Sequence, residues 1–126
     1  MKEVILEYVN SSTSDMTAIN YCEEKYPEMT KAFKDVQQQQ YALFCKKQKN
    51  YGPNNISVGT SLATEEDKKL SLTGIWFRVN DKSQRYKELV LNNQNDEVGE
   101  SIDDTISDMS IYGIIALIVR ANKWGK

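Results

Sequence analysis

Val98-Gly99-Glu100-Ser101-Ile102-Asp103-Asp104-Thr105-Ile106-Ser107-Asp108-Met109-Ser110-Ile111-Tyr112-Gly113-Ile114-Ile115-Ala116-Leu117-Ile118-Val119-Arg120 is the stretch that decides how this chain is read. It opens on acids and hydroxyls and closes on an almost unbroken apolar run. At about 100° per residue, Ile111, Ile114, Ile115 and Ile118 fall on one side of a helix. The run from Ile111 to Val119 is too short to cross a bilayer, and Arg120 follows it directly. The spacing predicts a helix from about Val98 to Lys123, with an apolar side that needs a partner. A helix this apolar can also serve as a dimer core.

The acids in this stretch carry the functional reading. Four carboxylates stand within nine residues, more than a helix N-terminus needs to satisfy its dipole. Glu100, Asp104 and Asp108 share an arc of about 80°, on the isoleucine side, with Asp103 beside them. The three are therefore expected to face the interior or a cleft. Clustered carboxylates repel one another there and resist loss of water. A Mg²⁺-type cation bound by Glu100, Asp104 and Asp108 meets that need, and so does a network with Lys or Arg. A solvated face is the third reading.

Upstream, Thr64-Glu65-Glu66-Asp67 has the form of a capping box. Leu72, Ile75, Trp76, Val79, Ser83, Tyr86 and Val90 then keep a three-four spacing, which predicts a helix over 65–91. Gly74 weakens it by about 1 kcal/mol relative to alanine. Arg78, Lys82 and Arg85 form a basic stripe beside the apolar face, suited to a phosphate group. The same stripe also serves as a solvated flank or as partner to the acids.

Earlier still, Phe33, Val36, Gln40, Leu43 and Phe44 recur at helical spacing and predict a helix over 28–50. Gln37 to Gln40 are ordinary helix formers within it. Asn50-Tyr51-Gly52-Pro53 stops it, since Gly52 accepts a left-handed cap and Pro53 cannot continue a helix. Lys46, Lys47, Lys49 and Tyr51 end this helix, and Lys49 and Tyr51 are candidate ligand contacts, Tyr51 by stacking or by closing the core. Asn54, Asn55 and Ser57 offer polar contacts in the loop that follows. Before Pro27, Ser14 is a candidate N-cap for a helix carrying Met16, Ile19 and Cys22 on one side. Val4 to Val9 reads as a strand or a short helix.

Composition narrows the classes. With 40% hydrophobic and 27% charged residues in 126, the chain suits one all-α domain over residues 1–126 rather than a disordered segment. A net charge of −2 lacks the basic excess of a duplex-binding protein. Cys22 and Cys45 are far apart, which fits reduced thiols in a cytoplasmic protein. No signal-peptide pattern or membrane-length run is present. The absence of histidine removes Ser-His-Asp and Cys-His catalysis and His-ligated zinc, leaving hard cations on carboxylates.

Three blocks together carry a family resemblance. Lys49-Asn50-Tyr51-Gly52, Asp81-Lys82-Ser83-Gln84-Arg85, and Glu100 to Asp108 with Tyr112 resemble the nucleotide-modification-associated domain of the first type, over roughly Phe33 to Val119. That family occurs largely in phages and bacteria, so a phage origin implies the host cytoplasm. The last block is also similar to the acidic helix of the MazG-like all-α nucleotide pyrophosphohydrolases, in which acids on two helices hold Mg²⁺ at a nucleoside triphosphate. The resemblance implies a MazG-like helical bundle that binds a nucleotide. Glu23, Glu24 and Glu28 do not reproduce the earlier acidic pair of those enzymes, which favours binding over hydrolysis. Three functions are expected on these grounds: nucleotide or phosphate binding with Mg²⁺-dependent phosphoanhydride hydrolysis, a non-catalytic sponge for a nucleotide signal, or a helical interaction module. In the hydrolytic case Lys82 and Arg85 stabilise the charge that develops.

Overall fold

The computed structural model describes residues 12–126; the expected strand or short helix at Val4–Val9 lies outside the described residues. The protein is all-α, with no strand among the described residues. It divides into two compact units, one ending at Asn50 and one beginning at Tyr51.

In the first unit, α1 spans Thr13–Lys25. Its N-cap is Ser12 rather than Ser14. Ser12 Oγ accepts the Asp15 N–H, and the Asp15 carboxylate accepts the Ser12 N–H, so two otherwise unpaired donors are satisfied at once. Pro27 forces Tyr26 out of the helical region (φ −130°, ψ 64°), and α1 stops there. The same proline opens α2, Pro27–Tyr51, because the first turn needs no N–H from it. Lys34 Nζ lies 3.1 Å from Glu23 Oε1 and links the two helices. Between them is a cleft of about 570 Å³, lined by Ala18, Ile19, Cys22, Met29, Phe33 and Gln37 among others.

In the second unit, Gly52 takes φ +70°, the left-handed conformation expected of it. A short helix α3, Asn54–Ser57, follows. The helix α4, Glu65–Tyr86, is capped by Thr64, whose Oγ1 accepts the Asp67 N–H. It runs unbroken through Gly74. Residues Lys87–Leu91, expected as its continuation, form a π-helical turn instead. The last helix, α5, spans Ile102–Arg120 and is shorter at both ends than the spacing predicts.

Helix α4 packs along α5, and α3 against α4. Ile56, Ile75, Ile111, Ile115, Val119, Ala121 and Trp124 form the buried apolar core. Two polar contacts lock it. Ser71 Oγ, 1% exposed, donates to the Ile56 carbonyl at 2.6 Å. Trp124 Nε1 donates to the Pro53 carbonyl at 3.0 Å, tying the end of the chain to the start of the unit. Among the described residues no helix is long and apolar enough to cross a membrane.

Candidate functional site

The charged residues of the second unit converge where α4 meets the start of α5. Lys82 on α4 places Nζ 2.6 Å from Glu100 Oε1 and 3.0 Å from Asp108 Oδ2. One turn further along, Arg85 spans several acceptors. Its Nε lies 2.9 Å from Glu100 Oε2 and donates to Thr105 Oγ1 at 3.1 Å. Its Nη2 donates to Asp96 Oδ1 at 2.9 Å and to the Glu100 carbonyl. Thr105, 1% exposed, donates its hydroxyl to Glu100 Oε2 at 3.0 Å. Two cations, three carboxylates and one hydroxyl thus form one connected cluster, partly open to solvent.

Local structure explains why Glu100 reaches it. Ser101 is the N-cap of α5, its Oγ accepting the Asp104 N–H at 3.0 Å. Glu100 therefore precedes the helix instead of lying on it. Asp96 Oδ1 accepts the Val98 and Gly99 N–H groups, at 3.0 and 3.2 Å, and Gly99 takes φ +81°. This turn brings residues 96–100 alongside Arg85.

The electrostatics follow from these contacts. Lys82 feels two opposed influences. Partial burial alone lowers its pKa, but hydrogen bonds and charges from Glu100 and Asp108 together outweigh it and raise the value above 10.5. The hydrogen bond from Lys82 lowers Glu100 below 4.5 against its own partial burial, helped by Thr105 and by the charges of Lys82 and Arg85. The hydrogen bond from Arg85, with the Val98 N–H, lowers Asp96.

The expected residues do not all meet. Lys82, Arg85, Glu100 and Asp108 come together. Asp104 and Asp103 stand exposed on the first turn of α5, where their charge suits the helix dipole. Thr105, not Asp104, faces α4, because the line of contact between two crossing helices drifts around each of them. Arg78 lies further back on α4: its Nη2 donates to the Asn55 carbonyl at 3.0 Å, and its guanidinium lies 5.8 Å from the Tyr112 ring centre. Tyr51, at the end of α2, is 68% exposed, and Lys49 is exposed and belongs to the other unit. Asp96 was not among the expected residues, although Asp96-Glu97-Val98-Gly99 has the composition of an Asx turn.

Glu100 and Asp108 offer hard oxygen donors of the kind Mg²⁺ takes, and the Lys82 ammonium stands between them. Among the described residues, no three Cys, Asp or Glu side chains are grouped so as to hold a metal ion by themselves. Compared with known families, characterised proteins and solved structures, the chain matches none.

Proposed function

We propose that the second unit binds a nucleotide or another phosphate-bearing small molecule at the α4–α5 cluster, without requiring its hydrolysis. The observation that carries this reading is the gathering of Lys82 and Arg85 with Glu100 and Asp108 at a surface that solvent reaches. Groups of both signs can exchange partners. A phosphate dianion would take Lys82 and Arg85, and an accompanying Mg²⁺ would take Glu100 and Asp108. The exchange leaves the net charge of the cluster unchanged, because Mg²⁺ and the dianion cancel. Mg²⁺ would complete its shell with phosphate oxygens and water, as it ordinarily does. Two of the three blocks that resemble nucleotide-modification-associated domains supply Lys82, Arg85, Glu100 and Asp108, which supports the same ligand class. A sponge that sequesters a nucleotide signal is the form of this activity that needs no further catalytic group.

A second reading is an ion network that only fastens α5 to α4. It is favoured by the carboxylate partners that Lys82 and Arg85 already have. A thermal-shift screen of nucleotides and inorganic phosphate, with and without Mg²⁺, separates the two. A ligand at 100 times its Kd adds about 2.7 kcal/mol to stability. The binding reading expects a nucleotide-dependent rise in Tm whose Mg²⁺-dependent part disappears in Asp108→Asn. No shift with any nucleotide in either condition defeats it in favour of the network.

A further inference from the structure

We infer that α2 is a homodimerisation element, pairing antiparallel with the α2 of a second copy. The inference does not depend on the phosphate reading, since it concerns the other unit.

It begins with the apolar side chains of the described residues in the first unit. Every buried apolar side chain among the described residues belongs to the unit that starts at Tyr51, and in residues 12–50 only Gln40 is buried. A pair of helices that buries no apolar side chain has little to hold it together in water. Yet its apolar residues are placed in order. Met29, Phe33, Val36, Gln40 and Leu43 repeat at spacings of four, three, four and three, the seam of a coiled coil. Met29 is 60%, Phe33 67% and Val36 50% exposed. Ile19, across the cleft on α1, is exposed as well.

Charge selects the occupant and its direction. The turn between α1 and α2, residues 23–28, carries Glu23, Glu24 and Glu28 against one base, Lys25. The far end of α2 carries Lys46, Lys47 and Lys49, with no acid between Val36 and Tyr51. A parallel copy would set lysines against lysines. An antiparallel copy of α2 centred on Val36 sets Leu43 against Met29 and brings Lys46, Lys47 and Lys49 to the acidic turn that precedes α2, at both ends at once. Such a two-fold pairing is self-complementary, as closed dimers require. It also places the two α2 seams face to face.

Sedimentation equilibrium on the full chain tests this. The expected mass is twice the 14.5 kDa of one chain. Phe33→Asp, at an exposed position, should weaken the dimer by about tenfold or more. Lys46→Glu with Lys49→Glu should weaken it too, as should Glu24→Lys with Glu28→Lys. Mixing these two charge-reversed chains should restore a heterodimer. That recovery shows both chains to be folded, and the direction follows from the wild-type chain, whose parallel pairing would set lysines against lysines. A wild-type chain that stays monomeric overturns the inference, its seam then being left to a different protein. A dimer indifferent to Phe33→Asp, or reversed chains that do not recover on mixing, overturns it equally.

Discussion

The Lys82 ammonium lies 2.6 Å from Glu100 Oε1, on an α4 side chain and a residue just ahead of α5 respectively. This ion pair, with Asp108 on its other side, is the compensation that a run of clustered carboxylates demands. A lysine of the chain itself supplies it. The acids are therefore coupled to folding.

Removing that lysine leaves two carboxylates facing each other. Lys82 is 22% exposed and Asp108 15%, so water screens only part of the repulsion. Breaking a fully buried pair costs about 3–5 kcal/mol, and with this exposure we expect Lys82→Met to cost about 1–2 kcal/mol. Asp104→Asn, at an exposed position, should change stability by less than about 0.5 kcal/mol. Urea unfolding of the two variants measures both. Equal losses would show that Asp104 shares the cluster after all.

Stability should fall in acid through two of these carboxylates. Glu100 and Asp96 titrate lower in the folded protein than in the unfolded chain. Their contribution is therefore complete above the ordinary carboxylate range, and it is lost as pH falls through that range toward their depressed values. Lys82 behaves oppositely: its contribution is complete below 10.5 and is lost as pH rises through the raised value. Between these limits the cluster should leave stability flat with pH. Glu100→Gln should flatten the acid limb in pH-dependent denaturation curves, whereas an unchanged limb would assign it to other groups.

Trp124 anchors the end of the chain on the loop that begins the second unit. It is 8% exposed and donates to the Pro53 carbonyl. Trp124→Phe keeps an aromatic ring there and removes this one hydrogen bond, while the Pro53 carbonyl keeps the Ile56 and Ser57 N–H donors, at a cost of about 1 kcal/mol or less. Trp124→Ala removes the ring as well and should cost about 3–5 kcal/mol. Near-ultraviolet circular dichroism and chemical unfolding would test the order. A neutral Trp124→Ala would mean that the C-terminal residues contribute nothing to the fold.

Much of the fold is local chemistry and is legible in the sequence. Pro27 separates α1 from α2, Gly52 and Pro53 end α2, and Thr64 with Asp67 starts α4, because each acts through its own backbone angles or through a hydrogen bond a few residues away. The apolar run through Val119 implies a buried helix, since its side chains have no other way to leave water. What joins side chains distant in sequence was decided by tertiary structure. A uniform angular count along 100–108 places Asp104 with Glu100 and Asp108. In the folded protein Ser101 caps α5, so Glu100 lies outside that count, and the crossing of α4 and α5 turns Thr105 inward instead. Asp96 joins the cluster only because its turn carries it to Arg85, eleven residues away. Periodicity fixes which residues share a side of one helix. Which charge meets which depends on where two helices cross and on the loop between them, and neither distance is encoded in any single stretch of the chain.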